Sequence, residues 1–141
     1  MNLKEKCPII TFNDLGDDRG KLVVIEGNQS IPFDIKRVFY IYDSNNDVIR
    51  GQHANKNSEF VLINVAGRSK VRITDGDEEM VVELDKPMMG VYIPRMIWKD
   101  MYDFSPDSIL LCIASEKYDN EEYIRDYELY TQEMRRLSNG D

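Results

Sequence analysis

Residues 59–84, EFVLINVAGRSKVRITDGDEEMVVEL, hold three apolar runs cut by two turn signals. The runs at 59–65, 69–74 and 79–84 are rich in Val and Ile, with a Phe in the first, the residue types that suit a pleated, half-buried strand. Ala66-Gly67 closes the first run, and Asp75-Gly76 stands between two alternating strands as a hairpin signal.

The same grammar extends in both directions. Runs at 22–26 (LVVIE), 37–42 (RVFYIY), 90–93 (GVYI) and 109–114 (ILLCIA) are separated by Gly, Asn, Asp and Lys86-Pro87. Seven or eight strands predict an all-β sandwich or barrel, and the chain has no GxGxxG, Walker loop or βαβ alternation. The helical segment is C-terminal, about 121–137 (EEYIRDYELYTQEMRRL), with Glu at its start and Arg near its end as the helix dipole prefers. Tyr123, Tyr127 and Tyr130 fall at i, i+4 and i+7, a stripe that packs on the sheet or a partner. The tail Ser138-Asn139-Gly140-Asp141 is expected to fray, and no repeat or linker divides the 141 residues, so one domain spans 1–141 with strands over about 8–114.

Composition excludes several functions. Hydrophobic residues at 42% and charged residues at 31% describe a globular chain with a core, without the roughly 18-residue apolar stretch of a membrane span. MNLKEKCPII has no apolar signal region, so a cytoplasmic location is expected. Eighteen basic against 26 acidic residues, a net charge of −8, opposes nucleic-acid binding, so an anionic ligand needs a local cluster of Arg or Lys. Cys7 and Cys112 match no metal-ligand spacing and predict buried, reduced thiols.

The chain has one histidine, His53, in the polar segment Arg50-Gly51-Gln52-His53-Ala54-Asn55-Lys56-Asn57-Ser58-Glu59. Extended, this segment puts His53 and Asn55 on one face and Arg50, Gln52 and Ala54 on the other. The pattern resembles the first motif of the cupins, small β-barrels with Gly, HxH and then Glu, while Pro94-Arg95-Met96-Ile97-Trp98-Lys99 resembles their second motif. Where metal-binding cupins carry His, His, Glu and His, this chain has His53, Asn55, Glu59 and Lys99. An amide is a weak ligand and a lysine brings a cation, so no metal is expected.

Read with their flanks, DDRGKLVVIE, IPFDIKRVFYIYD, RGQHANK, GVYIPRMIWKDM and ASEKYDNEEYIRDYELY resemble, in order and spacing, the dTDP-sugar 3,4-ketoisomerases over residues 10 to 130. The resemblance implies a cupin jelly roll with a C-terminal helix, dimerising with exchanged N-terminal strands. It also implies conversion of dTDP-4-keto-6-deoxyglucose to a 3-keto isomer without metal or redox cofactor. The product would pass to a pyridoxal-phosphate aminotransferase making a 3-amino-3,6-dideoxy sugar for surface glycans. A strand around 8–13, flanked by Asn and Asp, suits such an exchange because it covers two sheet edges at once.

The chemistry needs a base, an acid and donors for a developing oxyanion. Family members resemble RGxHAHK, with the second His often treated as the base, and WHE after the second motif; here those positions are Asn55 and Trp98-Lys99-Asp100. Three readings are open: His53 shuttles the proton while Asn55 orients the sugar, Lys99 is the base, or Asn55 was introduced deliberately to trap a ligand. Tyr40 is a candidate donor to the enediolate. Arg19, Arg37, Arg50 and Arg95 are candidates for the diphosphate, and Tyr92 or Trp98 for stacking on thymine. A dTDP-sugar 3,5-epimerase and a non-catalytic nucleotide-sugar-binding cupin are the alternatives.

Overall fold

The computed structural model describes residues 1–139. Among them, ten strands form two antiparallel five-stranded sheets. The strands are β1 (Ile9–Thr11), β2 (Arg37–Tyr42), β3 (Arg50–Asn55), β4 (Phe60–Ala66), β5 (Ser69–Thr74), β6 (Glu79–Leu84), β7 (Met89–Ile93), β8 (Trp98–Tyr102), β9 (Ile109–Ala114) and β10 (Tyr123–Ile124). One sheet runs β1-β7-β4-β9-β2 and the other β10-β3-β8-β5-β6, the two walls of a cupin-like β-barrel. No helix among the described residues is long and apolar enough to cross a membrane.

Period-two alternation fills the barrel. Phe60 and Leu62 of β4, Val71 and Ile73 of β5, Met101 of β8 and Leu110 and Cys112 of β9 are buried in one interior cluster. The intervening Val61, Ile63 and Ile113 face outward, yet they are buried too, under Phe12, Ile31 and Phe33 from the long connection between β1 and β2. Sheet strands covered on both faces read as continuous apolar runs, which explains the unbroken burial of Phe60–Asn64.

The run at 22–26, expected as a strand, belongs to this cover. Val23 makes a single bridge with Asp14, and Val23 and Ile25 pack onto the outer cluster. Apolar residues spaced to sit on a sheet carry the same pattern as residues within one, so periodicity could not separate them. The segment expected to cross to a second copy pairs within its own chain, Ile9 opposite Val91 and Thr11 opposite Met89. A short helix, α1 (Leu3–Lys6), precedes it and was not anticipated. Cys7 and Cys112 are buried and free, and burial pushes both thiols up to about 12.

The C-terminal helix, α2, runs Tyr127–Asn139 rather than from 121. A 3-10 turn at Asn120–Glu122 and β10 replace the expected first turns. The helix begins where the Asp126 carboxylate can accept the N–H groups of Glu128 (2.9 Å) and Leu129 (3.2 Å), a local cap that outweighs upstream helix propensity. Ser138 and Asn139, expected to fray, are helical, while Gly140 and Asp141 lie outside the described residues. Tyr127 and Tyr130 keep their stripe against Trp98, with ring centroids 5.1 and 5.6 Å away; Tyr123 leaves it for β10.

Tyr130 is fully buried, and its hydroxyl hydrogen is shared between the carbonyls of Met96 (2.8 Å) and Thr74 (3.2 Å). In urea denaturation, Tyr130→Phe is expected to cost about 1 kcal/mol for the lost hydrogen bond. Tyr130→Ala is expected to cost about 3–5 kcal/mol through the cavity.

Candidate functional site

The site is set by an irregularity in β3. Its ladder with β8 pairs Arg50 with Met101, Gly51 with Asp100 and His53 with Lys99, with a register shift between Gly51 and His53. Gln52, at φ 57°, is the extra residue of this bulge. Gly51 beside it has φ +82°, and a Cβ there would stand 3.0 Å from the Lys99 carbonyl oxygen and from the Met101 side chain. Residues directly opposite in an antiparallel pair share a face. Arg50 therefore lies on the side of Met101 and Lys99, the same side as His53 and Asn55. Plain alternation assigned it to the other face, and the bulge is the reason for the difference.

Lys99 is only 2% exposed. Its Nζ donates to Asn55 Oδ1 at 3.2 Å and stands 4.2 Å from the centre of the Phe60 ring. Among the described residues no carboxylate lies within ion-pair distance of it. Burial lowers its pKa to about 7, with the Arg37 guanidinium acting in the same direction and Glu122 opposing.

His53 lies 2.9 Å through Nδ1 from the Gly51 carbonyl oxygen. A carbonyl only accepts, so Nδ1 carries the hydrogen and Nε2 keeps its lone pair. Burial, and then the Lys99 charge, lower the pKa to about 3. The ring meets Tyr123 edge-on at 4.7 Å.

Arg37 enters from β2. Its Nη1 donates to the Tyr123 hydroxyl at 3.3 Å, and its guanidinium lies 5.2, 5.8 and 5.7 Å from the ring centres of Phe39, Phe60 and Tyr118. The buried side-chain nitrogens and oxygens without a hydrogen-bond partner, among the described residues, are Arg37 Nε, Arg37 Nη2 and Asn55 Nδ2. All three are donors, and buried polar groups left unpaired in a native fold demand an explanation. The Asn55 amide lies near the buried Glu122 carboxylate without forming a hydrogen bond to it, and its dipole is the smallest of the influences that hold that group ionised. Burial raises the Glu122 pKa, but hydrogen bonds from Ser58 and Asn57 outweigh it and leave the group below its usual range.

The remaining candidates are placed elsewhere. Strand parity puts Arg37, Phe39 and Ile41 inside and Tyr40 outside, where it is 62% exposed; it is not a barrel donor. Tyr92 sits in the outer cluster beside Phe33, its hydroxyl donating to Glu59. Trp98 plugs the space between β8 and α2, its indole N–H donating to Asp100 at 3.2 Å. Neither ring is available inside the barrel for stacking. Arg19 lies in an exposed turn paired with Asp17 at 2.6 Å, and Arg95 is exposed, donating to the Lys56 carbonyl. The barrel thus gathers His53, Asn55, Lys99, Arg37 and Arg50. Tyr123, Glu122, Tyr118 and Phe60 were missed, and a reading of 121–126 as strand rather than helix would have found the first.

Because the folded-state pKa of His53 lies below that of the unfolded chain, the unfolded state binds more protons between about pH 3 and 6.5, and stability falls as pH drops through that window. Relative to His53→Gln, the natural protein is expected to lose about 3 kcal/mol of extra stability between pH 7.5 and pH 4 in parallel urea titrations.

Residues 5–135 match the family model FdtA, described as WxcM-like, C-terminal. The TDP-4-oxo-6-deoxy-alpha-D-glucose-3,4-oxoisomerase of Aneurinibacillus thermoaerophilus is 39% identical over 130 residues, covering 92% of this chain and 94% of that protein. The crystal structure of QdtA, a sugar 3,4-ketoisomerase from Thermoanaerobacterium thermosaccharolyticum in complex with TDP, is similar with a TM-score of 0.91 and 42% identity, covering 94% of this chain and 96% of that one. A histidine-to-asparagine mutant of that enzyme, in complex with TDP-4-keto-6-deoxyglucose, is similar with a TM-score of 0.91 and 40% identity over 96% of this chain and 98% of that one. With a barrel that matches theirs and a model match across nearly its whole length, this chain belongs to the FdtA family of cupin-fold sugar 3,4-ketoisomerases.

Proposed function

We propose that this single-domain chain is a 3,4-ketoisomerase acting on a TDP-linked 4-keto-6-deoxyhexose. The observation that carries the reading is the convergence of unpartnered buried donors, Arg37 and Asn55, on the face that bears a neutral imidazole and a buried amine. Substrate and product are isomers, so the reaction balances with proton transfers alone. The proton on carbon 3 leaves, an enediol forms across carbons 3 and 4, and a proton returns to carbon 4. Asn55 Nδ2 and the free edge of Arg37 are the donors for the enediolate oxygens, which in a water-poor interior act far more strongly than in solution. Arg50, brought to this side by the bulge and exposed at the end of β3, is placed for the diphosphate.

The 3-keto product presents a carbonyl suited to amination by a pyridoxal-phosphate enzyme. Two free, buried thiols suit a reducing compartment, which supports the cytoplasm as the working location. A homodimer is supported by β2, a sheet-edge strand whose outer face exposes Val38, Tyr40 and Tyr42 side by side. The three-pair β1–β7 ladder can also form between copies, the exchanged arrangement.

Incubation with TDP-4-keto-6-deoxyglucose in heavy water, followed by NMR, is expected to yield a 3-keto sugar with deuterium at carbon 4. Washout at carbon 5 instead would indicate the 3,5-epimerase, and binding without any carbon-bound exchange would indicate a non-catalytic cupin. Sedimentation velocity at micromolar concentration is expected to give twice the chain mass, and Tyr40→Glu combined with Tyr42→Glu to return it to one.

A further inference from the structure

The interior holds two nitrogen bases, His53 and Lys99, and the geometry separates their tasks. His53 and Lys99 are directly opposite in the β3–β8 ladder and share a face. Asn55, two residues beyond His53, cannot titrate, but its amide oxygen holds the Lys99 nitrogen at 3.2 Å. That neutral acceptor is the one hydrogen-bond partner of Nζ among the described residues. A carboxylate partner would keep the ammonium protonated; an amide positions the nitrogen without fixing its proton. The orphaned Asn55 Nδ2 belongs to the same amide. With Oδ1 committed to Lys99, Nδ2 is the end left for a ligand.

We propose that Lys99 Nζ is the group that removes the proton from carbon 3 of the sugar and delivers one to carbon 4, with Asn55 positioning it and His53 Nε2 accepting the hydrogen of the reacting hydroxyl. The assignment rests on the ketoisomerase reading above and deepens it. The carbon 3–hydrogen bond breaks and its proton goes to Nζ. The freed pair forms the carbon 3–carbon 4 double bond, and the carbonyl pair moves onto the carbon 4 oxygen. The hydroxyl proton on the carbon 3 oxygen then passes to the carbon 4 oxygen. Finally the carbon 3 carbonyl forms as carbon 4 takes a proton from the Nζ ammonium, restoring the amine.

The charged neighbours permit this. Facing Lys99 are His53 from β3, Arg37 from β2, Cys112 from β9, Cys7 after α1 and Glu122 before β10. Both thiols are pushed up to about 12 and the imidazole down to about 3, so all three are neutral at physiological pH. Arg37 and Glu122 remain as one charge of each sign. Lys99, at about 7, is then the interior group that changes protonation near the working pH, and a base is most effective when its pKa lies there. His53, some four units lower, is a far weaker base and a good hydroxyl acceptor.

The test uses the full chain and TDP-4-keto-6-deoxyglucose in heavy water. Lys99→Arg keeps the charge and removes the base; Lys99→Met keeps the volume and removes both. Each is expected to slow conversion and loss of the carbon 3 proton by about 10³-fold. Titration with TDP by calorimetry is expected to stay within about tenfold of the natural protein, which shows that the barrel is folded. In the natural protein, kcat is expected to rise with pH through a limb near 7. His53→Gln is expected to slow conversion yet still exchange the carbon 3 proton. In ordinary water, with substrate deuterated at carbon 3, no more than about a third of the label should reach carbon 4, because the ammonium then carries one deuterium among three hydrogens. Lys99→Arg turning over within about tenfold of the natural protein, a retention above that third, or exchange lost in His53→Gln but kept in Lys99→Met would each overturn the assignment. A natural protein that neither converts nor exchanges would overturn the ketoisomerase reading itself, and the assignment with it.

Discussion

Gln52 holds a left-handed backbone conformation beside Gly51, and the register shift that follows brings Arg50 onto the face that carries His53, Asn55 and Lys99. A strand without the extra residue would turn Arg50 out of the barrel. Such a conformation in a non-glycine residue costs on the order of 1 kcal/mol and persists where surrounding pairing over-determines it. Here the ladder to β8 on one side and β10 on the other supplies that pairing. Met96, also at positive φ, donates its N–H to the Asn55 carbonyl at 2.6 Å, so the second motif clamps the end of the first.

A buried guanidinium, an ammonium without a carboxylate and orphaned donors are all unfavourable to folding. Their cost is offset elsewhere. The apolar side chains of β4 and β9 are buried on both faces, by the interior cluster and by the cover that residues 12–35 lay over the outside. Trp98, Tyr127 and Tyr130 lock the opposite wall to α2. The polar groups are thereby confined to the β2, β3, β8 and β10 end, which is where strain and function are expected to coincide.

How much of this was legible follows from which signals are local. The strands at 37–42, 59–65, 69–74, 79–84 and 109–114 were readable because alternation and turn residues are properties of neighbours in sequence. His53, Asn55 and Lys99 were readable as a group from their chemistry and motif spacing, and the barrel does bring them together. Facing was not readable wherever both sides of a strand are apolar: Tyr40, Tyr92 and Trp98 have the composition of interior aromatics and differ from Phe39 and Phe60 only in parity. Arg50 was placed on the wrong side because a bulge has no reliable signature in RGQH. Tyr123 and Glu122 were hidden because a helix-favouring run at 121–126 is overridden by tertiary pairing with β3 and by the Asp126 cap.

The interior is arranged for charges that are not yet there. The imidazole is neutral, Lys99 sits near its midpoint at physiological pH, and Arg37 Nε, Arg37 Nη2 and Asn55 Nδ2 have no hydrogen-bond partner among the described residues. When a proton leaves carbon 3 for Nζ, an ammonium and an enediolate appear together in a medium that screens them poorly. Each is the other's missing counter-charge, and the orphaned donors gain the oxygens they lack. These interactions are weak with the neutral ketone and strong with the enediolate, so the stabilisation falls on the transition state rather than on substrate binding, the condition under which binding energy becomes rate. A carboxylate beside Lys99 would have made the resting protein more stable and removed that difference.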